Sequence, residues 1–360
     1  MSDDSDEKPP CKQITTLHTY KTDFNADSVE WCPHEPHQNV FVCANYQLKE
    51  SKDDTNAPRE RFGCILLFSV SLEELRLLQT LPTAAILDQK WCHNPVNGCS
   101  ILGVANAQKT IEIYALNANT VQLDLITSYQ LEDDDSETLV LSLDWSTGKY
   151  ESSEPELVCS DSKGKIHRFK FTNNELVRDG SWNGHDFEAW IAAFYYWEPN
   201  IFFSGGDDCV FLKFDKRAGL EPVSRNRNHE AGVTSIHSNS KREYVLATGS
   251  YDTQVRLWDI RFLKNCTSCI KTPGTLWRLK WDPFYHKHLL AACMLGGVHI
   301  IKSNNPECLE IVDSYYKHEN ISYGADWSFS PINSKEQALI ATCSFYDNLL
   351  CVSQVGLNNQ

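Results

Sequence analysis

No run of 18 apolar residues occurs anywhere in this 360-residue chain, which excludes a bilayer-spanning helix. The opening residues, MSDDSDEKPP, lack the basic start and apolar core of a secretory signal, so a cytoplasmic protein with no membrane partner is expected. Positive charge is scarce. Lys and Arg number 33 against 48 Asp and Glu, a formal net charge of -15. Nucleic acid is not an expected partner, because phosphate binding needs a basic surface that releases counterions. An acidic surface suits a basic partner or a cationic ligand. Also missing are G-x-S-x-G, the P-loop, H-E-x-x-H and the dinucleotide fingerprint, so no standard catalytic motif announces an enzyme and no cofactor is expected.

The pair Cys266 and Cys269 stands without the second ligand pair of a structural zinc site. Cys32, His34 and His37 read as loop residues, His286 and His288 as exposed connector residues, and no metal site is expected. Cysteines such as Cys43, Cys159, Cys293 and Cys343 lie in hydrophobic strands, where they act as small apolar side chains and stay free thiols.

What is present is a repeat. The segment 247–261, ATGSYDTQVRLWDIR, reads as strand, tight polar turn and alternating strand closed by Asp259, and His229 stands 30 residues before that Asp. This is one blade of a WD-repeat propeller: an opening His, a turn Asp and a Trp-Asp exit. His185 and Asp215 repeat the 30-residue interval. Weaker copies on both sides bring the count to seven, an all-β, seven-bladed WD-repeat β-propeller spanning 12–355. A disordered acidic tail is expected at 1–11, a polar insertion loop at 47–63 and a C-terminal tail at 356–360. The strand at 12–22 is expected to complete the last blade beside 348–355, and the acidic run at 132–137 reads as a solvated connector with a lesser claim as a docking site for a basic partner. Trp31, Trp91, Trp145, Trp197, Trp281 and Trp327 recur near the end of one equivalent strand, with Ile236 in that place in blade five. They read as core between neighbouring sheets.

Candidate site residues divide by position. His185, His229 and His318, with the turn residues Asp208, Asp252 and Asp347, read as structural, each Asp accepting hydrogen bonds that tighten its turn. One step earlier, Asp207, Tyr251 and Tyr346 look onto the face around the central channel. The starts of inner strands bring Glu188, Trp190, Trp277, Arg278 and Tyr323 toward the same rim, giving an acidic mouth lined by aromatic rings.

The stretches 188–217, 229–261, 274–300, 321–328 and 341–350, among them EAWIAAFYYWEPNIFFSGGDDCVFLKFDKR and GTLWRLKWDPFYHKHLLAACMLGGVHI, resemble the diphthine methyl ester hydrolase family, the WD-repeat protein of diphthamide biosynthesis. The resemblance implies hydrolysis of the methyl ester of diphthine methyl ester, a modified histidine of elongation factor 2 bearing a trimethylammonium group. Aromatic faces hold such a cation by cation-π attraction, which Tyr251, Tyr346, Trp190 and Trp277 would supply, with Asp207 and Glu188 adding charge. Asp207 or a rim His would be the general base, and Arg278 or a turn amide at Gly205 or Gly206 would stabilise the oxyanion. A covalent route through Ser344 or Cys343 ranks below these. The alternative is a non-catalytic adaptor, because KFDKR (213–217) and LWDIR (257–261) resemble the Trp-Asp-x-Arg motif of substrate receptors of cullin-type ubiquitin ligases.

Overall fold

The computed structural model describes residues 14–49, 60–132, 137–305, 308–330 and 337–357. The acidic tail at 1–11, most of the insertion at 47–63 and the centre of the acidic run at 132–137 lie outside them. Seven four-stranded antiparallel sheets form a ring. Each sheet starts at the axis with an inner strand: Asn25–Trp31, Ile86–Trp91, Val140–Trp145, Ile191–Phe194, Val233–Ser238, Arg278–Trp281 and Ser322–Trp327. Each inner strand contacts the next, and the first contacts the seventh. As expected, the N-terminal strand Thr15–Lys21 pairs with Leu349–Gly356 as the outer strand of blade seven. Closure covers the edge that a β-rich chain must otherwise protect. Ordered strand reaches further into the expected loop and tail, with Val40–Leu48 and Arg61–Val70 flanking the insertion and Leu357 buried.

The inner strands share a register that the periodic Trp only partly reveals. Trp31, Trp91, Trp145, Trp281 and Trp327 sit opposite Phe41, Leu102, Leu157, Leu289 and Ile340. The same place holds Phe194 in blade four and Ser238 in blade five, opposite Phe202 and Leu246. This corrects the assignment of Trp197 and Ile236. Trp197 lies beyond its strand and donates its indole N–H to the Asn239 carbonyl at 2.9 Å. Buried Ile236 packs with Ile191, Phe203 and Trp258.

Counting back from that place identifies the seams. One residue back, Asp144, His237 and Asp326 accept the backbone N–H of Phe194, Trp281 and Trp31 in the next blade, at 2.8 to 3.0 Å. Three residues back, Asp88, Ser142 and Ser235 do the same for Leu143, Ala192 and Leu279. The indoles of Trp91, Trp145, Trp281 and Trp327 return the contact, each donating to the carbonyl one residue before the Trp place of the preceding blade. Adjacent sheets are thus joined at the axis by directed polar bonds as well as by apolar packing.

At the opposite edge, Trp258 Nε1 donates to Thr248 Oγ1 at 2.8 Å, His229 Nε2 meets the same oxygen at 2.8 Å, and His229 Nδ1 meets Asp252 at 2.9 Å. His185 repeats this with Ser204 and Asp208. In blade seven, His318 keeps Thr342, and Asp347 receives the Glu319 N–H. His288 is also buried, against Asp282, rather than exposed, because the turn at 282–288 folds over that carboxylate.

Replacing His229 by Ala leaves Thr248 and Asp252 short of a partner, and chemical denaturation is expected to show a loss of about 2–4 kcal/mol. Burial holds the His318 imidazole down to about 4, with Asp347 opposing, against 6.5 when exposed. The unfolded chain therefore takes up this proton first, and stability is lost as pH falls from about 6.5 toward 4. Thermal melts of His318→Gln are expected to show a smaller acid-induced drop over that window.

Candidate active site

In an antiparallel blade the start of the inner strand and the turn joining the second and third strands lie at the same end of the ring. The seven inner-strand starts and these turns therefore share one mouth. Four residues before the Trp place stand Asp27, Leu87, Leu141, Trp190, Thr234, Trp277 and Tyr323, one per blade. Three of the seven are aromatic and adjoin aromatic turn residues. Trp190 meets Tyr251 at 6.3 Å and Trp277 at 5.7 Å, both edge to face. Tyr251 and Trp277 lie nearly parallel at 6.3 Å, and Trp277 stacks on Tyr323 at 4.7 Å. Tyr323 touches Phe345 at 5.2 Å, which meets Tyr346 at 4.9 Å and Tyr46 at 5.9 Å. The result is a continuous arc of rings from blade four through five, six and seven to blade one.

Carboxylates stand at the start of the arc. Asp207 Oδ1 accepts the Trp190 indole N–H at 2.9 Å, and the Asp207 amide donates to the Glu188 carbonyl at 2.9 Å. Gly232 makes room for this contact, since a Cβ there would lie 2.8 Å from Asp207 Oδ1 and 3.1 Å from the Tyr251 ring. Burial raises the Tyr251 phenol, and Tyr323, Asp207 and Glu188 add to the rise, so the ring stays neutral. Tyr323 is raised by burial and then by Asp27. Tyr346 is 64% exposed at the far end of the arc, and Phe187 is 61% exposed beside Glu188.

Beneath the rings the axis is charged. Arg278 is 6% exposed and pairs with Asp88 at 3.1 Å, and Lys90 meets the other Asp88 oxygen at 2.6 Å. Lower down, Lys280 pairs with Glu30 at 2.6 Å. A cavity of 350 Å³ occupies this lower channel, with Arg278 at its upper end and Glu30, Lys90, Asp144, His237, Lys280 and Asp326 in its wall. This void lies below the aromatic arc rather than within it. Burial pushes Asp144 up to about 6 and Asp326 up to about 7, with lysines lowering both.

The expected rim residues Glu188, Trp190, Asp207, Tyr251, Trp277, Tyr323 and Tyr346 meet at one opening, while Arg278 lies a level deeper than the rim on which it was expected. His185, His229 and His318 are buried in their blades and do not reach the mouth. The amide of Gly206 donates to Val210 and that of Gly205 lies in strand pairing, so neither is free for an oxyanion. Asp27, Asp88, Phe345 and Tyr46 escaped the sequence reading. Aligning the inner strands on the Trp place would have put Asp27 level with Trp190, Trp277 and Tyr323. Among the described residues no group of three or more His, Cys, Asp or Glu could hold a metal ion, and no helix is long and apolar enough to cross a membrane.

Residues 220–259 match the family described as WD domain, G-beta repeat. The chain is similar to the diphthine methyltransferase of Mus musculus, 39% identical over 336 residues covering 88% of this chain and 70% of that protein. Its counterpart in Homo sapiens is 38% identical, covering 92% and 78%. A DDB1- and CUL4-associated factor 11 homolog of Caenorhabditis elegans is 29% identical over 38% of this chain and 25% of that protein. Among solved structures, a chain in the crystal structure of the mitotic checkpoint complex superposes with a TM-score of 0.72, covering 98% of this chain and 94% of that one. At 17% identity it shows a shared fold alone. With over a third of its residues shared along nearly the whole ring, the chain belongs to the diphthine methyltransferase family.

Proposed function

We propose that this protein works in diphthamide biosynthesis, hydrolysing the methyl ester of diphthine methyl ester on elongation factor 2 to give diphthine and methanol. The observation that carries the reading is the unbroken arc of rings from Trp190 to Tyr346, with Asp207 bonded to its first member. A trimethylammonium group has no N–H to donate, so faces of neutral rings and nearby carboxylates are what can hold it, at about 0.5–2 kcal/mol per ring. Asp207 and Glu188 add Coulomb attraction at the mouth. Arg278, one level deeper, would face the ester and stabilise the developing oxyanion. Because Asp207 is engaged by Trp190, it serves the cation better than the attacking water. Burial keeps the Cys343 thiol well above its ordinary value, which disfavours a thiolate nucleophile.

The relatives are named for methyl transfer, whereas this reading has the methyl group leave as methanol. The two differ in a measurable way. Purified protein incubated with elongation factor 2 bearing diphthine methyl ester, in water enriched in oxygen-18, is expected to release unlabelled methanol and leave one heavy oxygen in the new carboxylate. An unchanged mass, or methyl gain dependent on a methyl donor, sinks the reading. Trp277→Ala removes a ring that contacts three others, and is expected to raise KM by up to about 30-fold, the equivalent of 2 kcal/mol, with a smaller effect on kcat.

The second reading, an adaptor for a cullin-type ubiquitin ligase, draws on the two blade exits where Arg217 pairs with Asp215 and Arg261 with Asp259, beside exposed Leu220 and Phe262. Co-purification with the ligase adaptor, lost in Arg261→Ala, together with absent methanol release, would favour it.

A further inference from the structure

Five other carboxylates near the axis are already committed. Asp207 accepts from the Trp190 indole. Asp88 is shared among Lys90, Arg278 and the Leu143 N–H. Asp144 accepts from the Phe194 N–H and the Tyr196 hydroxyl. Asp326 accepts from the Trp31 N–H, and Glu30 is paired with Lys280.

Asp27 differs. It is 3% exposed, and its Oδ2 is buried with no hydrogen-bond partner among the described residues. The register of its strand breaks between Ala26 and Ser28, so Asp27 occupies a bulge, as do Leu87, Leu141 and Thr234 on the same level. It stands on the same level of the ring as Trp190, Trp277 and Tyr323, the walls of the aromatic arc. Arg278 of blade six, Asp88 of blade two, and Tyr323 and Cys343 of blade seven lie within its electrostatic reach. A buried carboxylate oxygen without a partner carries a desolvation cost that folding alone does not explain.

We infer that Asp27 is a catalytic residue, the general base that activates water against an ester carbonyl held between the aromatic arc and Arg278. The inference rests on the hydrolytic reading above. One Asp27 oxygen takes a proton from water as the water oxygen bonds to the carbonyl carbon, and the carbonyl electron pair moves onto oxygen, facing the Arg278 guanidinium. Collapse restores the C=O bond and breaks the bond to methoxide. The proton held by Asp27 passes to the departing oxygen, giving methanol and a carboxylic acid that then ionises. Arg278 has five N–H donors, so its pairing with Asp88 leaves others for the oxyanion.

Burial pushes the Asp27 carboxyl up to about 8, with Arg278 lowering it and Asp88 raising it. A base in that range is matched to work near neutral pH. Its folded value lies above the unfolded one, so its stabilising contribution is full below about 3.8 and is lost as pH rises through about 8.

The test is Asp27→Asn, which keeps shape and removes the base. Methanol release from the methylated elongation factor is expected to fall about 10²- to 10⁴-fold in kcat with KM little changed. The wild-type profile of kcat/KM is expected to rise with pH toward a plateau above about 8, and this limb should vanish in the variant. At pH 8 the variant should melt no lower than the wild type. Wild-type release with an equally active Asp27→Asn overturns the role of Asp27 while leaving hydrolysis standing. If the wild type releases no methanol, both fall. Should the variant fail to fold, the wild-type profile decides, and a flat profile through pH 8 overturns the assignment.

Discussion

The ring depends on one recurrent polar contact, the side chain of an inner strand accepting a backbone N–H from the inner strand of the next blade. Asp144, His237 and Asp326 make it on one level, and Asp88, Ser142 and Ser235 on another. A sheet can slide against its neighbour when only apolar side chains interdigitate, because dispersion is not directional. A hydrogen bond at 2.8 to 3.0 Å is directional, and it fixes both the height and the rotation of each blade. The consequence is an axis crowded with buried acids and bases, whose desolvation is offset by pairing, as in Lys280 with Glu30 and Lys90 with Asp88.

That constraint also explains where a site can form. The levels that join the blades are occupied by groups with a structural partner. The level above them carries a seam bond at Thr234, whose hydroxyl donates to the Leu276 carbonyl at 2.7 Å, and of its seven residues three are large aromatic rings and one is an acid. The opening thus inherits its precision from the seams below. Trp190, Trp277 and Tyr323 sit on strands whose height is already fixed, and the turn residues Asp207, Tyr251, Phe345 and Tyr346 close around them. Gly232 shows how tight the fit is, since one added carbon would collide with Asp207.

Much of this was legible before any coordinates. The 30-residue intervals from His185 and His229 to their exit Asp residues identified two blades, and the alternation of short strands supplied the other five. The aromatic and acidic rim was legible because turn residues and strand starts have a defined place in a propeller. At the Trp place of blades four and five the sequence offers Trp197 and Ile236, whereas strand register selects Phe194 and Ser238. Phe194 and Ser238 hold that place because of what they pair with, and pairing partners are distant in sequence. Asp27 was missed for the same reason: one acid in an ordinary strand start has no local signature.

Periodicity, a short-range property of the chain, therefore determined the all-β class, the number of blades, the closing partnership of the first and last strands, and the end of the ring at which rings and acids gather. Only the closed toroid decided which of those side chains lie level with one another, which charges are consumed in seams, and that a buried oxygen of Asp27 is left without a hydrogen-bond partner among the described residues. Those outcomes depend on contacts between blades whose residues are tens to hundreds of positions apart, and on a burial that no single blade can impose by itself.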